Sequence, residues 1–126
     1  MQRAFLILAV TLALLLVACG GSGRTTPQTP STPPALATLD VVRTGGIAGS
    51  RQELHLAPGD PRLEAAQDAL GVPLPASVAS NSTAADAFVY RVTAVLTDGT
   101  SATYAFDEGD VPGDLDKLRT WLGTAM

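Results

Sequence analysis

Few side chains in this 126-residue chain could support catalysis. His55 is the single histidine, and it occupies an outward position of a predicted strand. A Ser-His-carboxylate relay needs a histidine base, and a protein zinc site is usually built from several His or Cys ligands. Since only one histidine is available, we interpret His55 as a solvated surface residue and expect no enzymatic activity, no cofactor and no metal.

A second group of reactive side chains is acidic and lies near the C-terminus. It comprises Asp107, Glu108, Asp110, Asp114 and Asp116. Carboxylates can bind Ca²⁺, but this spacing lacks the alternating ligands and the closing glutamate of an EF-hand loop. We therefore assign most of these residues to turns and helix caps. The glycines at positions 45, 46 and 49 likewise form no phosphate loop, because no Gly-Lys-Ser/Thr sequence follows them.

The only cysteine, Cys19, stands at the end of an apolar run that extends from Ala4 to Ala18. This run is typical of a signal sequence and is short for a spanning helix, which needs roughly 20 apolar residues. The four residues ending at Cys19, Leu-Val-Ala-Cys, resemble the lipobox of bacterial lipoproteins. The resemblance implies a signal peptide over residues 1–18, cleavage between Ala18 and Cys19, and a lipid on the Cys19 thiol. The alternatives are an ordinary cleaved signal with an incidental thiol and an uncleaved helical anchor.

Residues 19–37 are predicted to form a lipidated tether. After the cysteine, the segment consists mainly of Gly, Ser, Thr, Pro and Gln, which cannot bury a core. Its prolines favour extended conformations, so it could reach roughly 50 Å. We therefore expect the protein to be held by its lipid at the extracytoplasmic face of a cell membrane.

The rest of the chain, residues 38–126, is predicted to form one folded, monomeric domain. It carries six basic side chains against all twelve carboxylates, a net charge of −6. Because no basic surface is available to neutralise phosphates, we expect no nucleic-acid partner. With one cysteine, no disulfide can form within the chain, and the apolar core must stabilise the domain by itself.

Hydrophobic periodicity predicts two strands and a helix in the first half of the domain. The strands are β-rich runs at residues 39–43 and 51–56. The helix follows Asp60, which can cap it, and ends at Gly71. Its apolar side consists of Leu63, Ala66 and Leu70.

The second half is predicted to contain two more strands and a helix. An irregular connection over residues 71–85 leads into the strands, and the last helix begins near Pro112 or Asp114 and stops at Gly123. The apolar stripe of that helix consists of Leu115, Leu118 and Leu122. The expected fold class is therefore α+β, a four-stranded antiparallel sheet with two helices packed on one face (β-β-α-β-β-α).

The third and fourth strands form a hairpin over residues 87–106 whose register can be predicted. A two-residue turn at Asp98-Gly99 would pair Val92 with Ala105 and leave the apolar residues opposite polar ones. A three-residue turn with Gly99 at positive φ pairs Val92 with Tyr104 instead. Because a one-residue slip moves every side chain to the other face, burial favours this bulged register.

The chain contains, in order, the segments Arg43–Gly49, Phe88–Val92, Asp98-Gly99, Phe106-Asp107 and Pro112–Leu122. Taken together, these segments resemble the emfourin family. Emfourins are small proteinaceous inhibitors of thermolysin-like zinc metallopeptidases of the protealysin group, and the similarity covers nearly the whole folded part. The resemblance implies a membrane-anchored inhibitor whose partner is a secreted or periplasmic metallopeptidase. The alternative is a non-inhibitory binding or structural lipoprotein of the cell envelope.

The candidate inhibitory loop connects the first two strands and consists of Gly45, Gly46, Ile47, Ala48 and Gly49. An inhibitor needs a rigid sheet that presents a loop to the enzyme cleft, and Ile47 is the one bulky apolar side chain of this loop. Two interpretations of Ile47 stay open at this stage. It either projects toward an apolar specificity pocket of the peptidase, or it packs inward while the glycines merely permit a tight turn.

Overall fold

The computed structural model describes residues 31–79 and 86–126. Cys19, Ala18, the predicted signal peptide over residues 1–18 and the tether as far as residue 30 lie outside the described residues. The same holds for residues 80–85 of the irregular connection.

The described chain follows the predicted order of elements. These are strand β1 (Leu36–Gly45), strand β2 (Ser50–Leu56), helix α1 (Arg62–Leu70), strand β3 (Phe88–Leu96), strand β4 (Ser101–Asp107), a 3-10 turn (Gly113–Leu115) and helix α2 (Asp116–Ala125). The first strand thus begins two residues before position 38, where we placed the start of the domain. Leu36 is buried, and its N–H donates to Oε1 of Gln67 at 2.6 Å.

The four strands form one antiparallel sheet in the order β2-β1-β3-β4. The long strand β1 lies in the middle and pairs with both β2 and β3. The outer edge of β4 is partly covered by the irregular connection, where Val78 accepts a hydrogen bond from the N–H of Ala105 at 2.7 Å and donates one to Thr103 at 3.1 Å.

The core lies between the sheet and the two helices. Alternate residues of all four strands are buried against the apolar sides of α1 and α2, and they form a single cluster. The largest fully buried side chains are Tyr104, Phe106, Leu39, Leu56, Leu115, Leu118, Leu122, Val41 and Val92. The predicted α+β architecture is confirmed, because one apolar face of the sheet accommodates both helices.

The bulged register of the β3–β4 hairpin is also confirmed. Val92 pairs with Tyr104 and Tyr90 with Phe106. Gly99 has φ +87°, and Leu96 and Thr100 close the turn through a 2.8 Å hydrogen bond. The register buries Tyr90, Tyr104 and Phe106, as the burial argument requires, and leaves Phe88 half-buried at the start of β3.

Both ends of α1 agree with the prediction, whereas the last helix starts with a 3-10 turn at Gly113 and α2 itself begins only at Asp116. At the start of α1 the carboxylate of Asp60 accepts the N–H of Arg62 at 2.9 Å, and Gly71 ends that helix with φ +86°. The predicted stop of α2 at Gly123 is wrong, since the helix continues to Ala125. Ala125 and Met126 pack against the core, and this contact outweighs the roughly 1 kcal/mol that a helical glycine costs.

Candidate functional site

The loop between β1 and β2 is a tight four-residue turn. Gly45 and Ser50 form the last pair of the two strands, and the N–H of Gly49 donates to the carbonyl of Gly46 at 2.9 Å. The hydroxyl of Ser50 adds a 3.1 Å hydrogen bond to the carbonyl of Gly45. Ile47 and Ala48 therefore occupy the tip of a turn whose base is closed by hydrogen bonds.

Ile47 projects away from the core, so the interpretation in which it packs inward is wrong. Its side chain is 95% exposed. Among the large apolar side chains that the structure describes, only Val72 is also exposed, and at 37% it is far less so. Exposing an isoleucine forgoes about 1.5–3 kcal/mol of burial energy, which the fold could recover by packing it. Such a residue on a constrained turn is suited to binding a partner.

Two glycines at the base of the turn, Gly45 and Gly46, have close neighbours on the chain that leads into β3. Gly45 has φ +127°, and a Cβ placed on it would lie 2.2 Å from the carbonyl oxygen of Ala87. Gly46 has φ +74°, and its Cβ would lie 2.9 Å from Cζ of Phe88. The turn thus approaches the start of β3 so closely that a side chain at Gly45 would collide with the backbone, and one at Gly46 would require the Phe88 ring to shift.

Arg43 and Phe88, next to the turn, were not among the site residues predicted from the sequence. The guanidinium carbon of Arg43 lies 3.7 Å from the centroid of the Phe88 ring. The signal was available, because alternation along β1 places Arg43 on the same face as the buried Leu39 and Val41. A cation at an inward position of an amphipathic strand indicates a special role.

The other residues considered for chemistry are held by local contacts. His55 is exposed, as predicted, and its Nδ1 contacts the carboxylate of Asp40 across the β1–β2 pair. Asp107 is buried and accepts the N–H of Gly109 at 3.0 Å, which makes it a turn residue.

The prediction that acidic residues near the C-terminus cap the last helix is wrong. No side chain caps the helix or the 3-10 turn before it. Asp114 and Asp116 lie instead in the first turns of these elements, where a carboxylate interacts favourably with the helix dipole. Within residues 31–79 and 86–126, no three His, Cys, Asp or Glu side chains are grouped so that they could hold a metal ion.

The resemblance to the emfourin family rests on the sequence segments alone, because comparison with known proteins adds nothing to it. The chain matches no protein-family model, no curated protein and no solved structure. In the part of the chain that the structure describes, no helix is both long and apolar enough to cross a membrane.

Proposed function

We propose that this protein is a membrane-anchored inhibitor of a thermolysin-like zinc metallopeptidase, and that Ile47 is the side chain that enters the enzyme. The observation that carries the proposal is the almost complete exposure of Ile47 at the tip of a hydrogen-bonded turn. The resemblance to emfourins supplies the class of partner. The lipobox at Cys19 supplies the anchor.

The inhibition is competitive in this proposal. Thermolysin-like enzymes favour a bulky apolar residue next to the scissile bond, and Ile47 is the one side chain of the turn with that character. When Ile47 occupies the specificity pocket, the turn lies in the cleft and excludes the substrate peptide. Because hydrogen bonds close the turn before binding, little ordering is needed when the complex forms.

The position of the turn in the sheet fits an anchored inhibitor. The chain enters the sheet at Leu36, and the turn follows the opposite end of the same ten-residue strand, about 33 Å away at 3.3 Å per residue. The tether adds a reach of roughly 50 Å. Ile47 therefore lies beyond the end of β1 that is opposite to Leu36.

The test is to titrate a thermolysin-like peptidase with residues 20–126 of this chain, which retain every described element. Ile47→Asp should weaken inhibition at least thirtyfold, or about 2 kcal/mol, because an interface anchor is lost. Val72→Asp is the matched control, since it places the same charge at the other exposed apolar residue. Both variants are compared at equal thermal stability.

Two results would contradict the proposal. Unchanged inhibition by a folded Ile47→Asp variant moves the contact elsewhere, to the exposed face around Arg91 and Thr93 or to the loop from Asp107 to Asp110. If the unmodified chain inhibits no such peptidase, the non-inhibitory binding or structural lipoprotein becomes the better description.

A further inference from the structure

A stack of side chains leads from the base of the turn into the core. The tip of the Phe88 ring fills the space beside Gly46, where a Cβ would lie 2.9 Å from Cζ. The Arg43 guanidinium covers this ring, with its carbon 3.7 Å from the ring centroid, and lies 5.5 Å from the centroid of Tyr90. Tyr90 is itself stacked on Phe106, with centroids 5.3 Å apart and planes at 17°.

The guanidinium of Arg43 is held from two neighbouring segments. Its Nη1 donates to Oε1 of Gln52 on β2 at 3.1 Å, and its Nη2 lies 3.8 Å from Oε2 of Glu108, just after β4. Its Nε is buried without a hydrogen-bond partner. Buried donors are rarely left unsatisfied, so an orientation that leaves one unpaired calls for an explanation.

We propose that Arg43 and Phe88 are positioning residues that fix the direction in which Ile47 projects. The stack connects the turn to buried aromatic rings, and its planar guanidinium supports Phe88 in a way that a lysine ammonium could not. The unpaired Nε is then a consequence of keeping the guanidinium over the ring. This inference rests on the proposed function for its effect on inhibition, but its effect on the turn can be measured without a peptidase.

The partial burial of Arg43 and Phe88 favours a positioning role over direct contact with the enzyme. The Arg43 side chain is 22% exposed, and its two terminal nitrogens, Nη1 and Nη2, are directed at Gln52 and Glu108. Phe88 is half-buried and packs against the core. Ile47, by contrast, is free on nearly all sides, so the two stacked residues act through the turn that carries it.

The test uses residues 20–126 with Phe88→Leu and Arg43→Gln. We expect the backbone order parameters of Ile47 and Ala48, measured by ¹⁵N relaxation, to fall from about 0.85 toward about 0.6 in both variants. Inhibition should weaken about tenfold, because the turn must then be ordered during binding. In an Ile47→Ala background the same two changes should have no further effect on inhibition, since positioning acts only through that side chain.

Arg51→Gln is the matched control. It removes the same charge from the neighbouring strand, where the exposed Arg51 guanidinium contacts Glu53 and no aromatic ring. It should leave both readouts unchanged. Unaltered order parameters at Ile47 in both Phe88→Leu and Arg43→Gln overturn the inference, as does an equal loss of inhibition with Ile47 present or replaced. If the unmodified chain does not inhibit, the proposed function fails, and the order parameters alone decide whether the stack positions the turn.

Discussion

Replacing Gly45 with alanine should destabilise this protein much more than the same change at Gly49. Gly45 precedes the turn and Gly49 is its last residue, and both have positive φ, +127° and +61°. The difference lies in their surroundings. A Cβ at Gly45 would lie 2.2 Å from the carbonyl oxygen of Ala87, whereas a Cβ at Gly49 meets nothing within 4 Å.

The magnitude follows from the movement that the alanine imposes. To restore an ordinary 3.4 Å contact, β1 and β3 must separate by about 1 Å at the Gly45–Phe88 pair. We expect this to cost the adjoining backbone hydrogen bonds, at ~1 kcal/mol each, in addition to the ~1–2 kcal/mol of backbone strain. Gly45→Ala should therefore cost about 3 kcal/mol or more, and Gly49→Ala only the strain, ~1–2 kcal/mol.

Urea unfolding of residues 20–126 measures both values. Trp121 is the single tryptophan and packs against the core, so its fluorescence reports the loss of tertiary structure. The free energy of unfolding is obtained by linear extrapolation to water. If the two variants lose the same stability within ~0.5 kcal/mol, the close approach of the turn to β3 is not as the structure describes, and the argument fails.

Three further predictions concern the anchor and the second hairpin. Cys19→Ala should release the protein from the membrane fraction while leaving the domain folded. If the variant stays in the membrane fraction after its signal peptide is removed, the Cys19 thiol does not carry the anchor. Gly99→Val should lower the free energy of unfolding by ~1–3 kcal/mol, because a β-branched residue is strained at φ +87°. Gly99→Asn should lower it less, and equal losses in the two variants would contradict the strain. Hydrogen bonds from the N–H and hydroxyl of Thr100 hold the pKa of the Asp98 carboxyl below its ordinary 3.8. The stability that the ionised carboxylate adds is therefore fully present above pH 3.8, and it is lost as the pH falls through the lower pKa of the folded state. A side-chain titration by NMR checks this, and a midpoint at or above 3.8 would be inconsistent with the hydrogen bonds.

The sequence by itself determined the local structure of this protein. The register of the second hairpin follows from alternation, because only the pairing of Val92 with Tyr104 places every aromatic ring on one face. The apolar sides of both helices follow from periodicity in the same way. These features depend on residues close together in the chain, and one physical rule, the burial of apolar surface, selects among few alternatives.

The tertiary structure decided the features that depend on distant segments. The central place of β1, between β2 and β3, joins strands that are far apart in sequence, and local patterns do not specify such pairing. The orientation of the Ile47 side chain could not be predicted from the sequence, since a single apolar residue between glycines can point toward the core or toward solvent. In the structure it projects outward, Ala87 and Phe88 lie beside Gly45 and Gly46 at the base of the turn, and the Arg43 guanidinium lies over the Phe88 ring. The surroundings of the turn that carries Ile47 thus depend on packing between β1 and β3, which no segment of the sequence shows by itself.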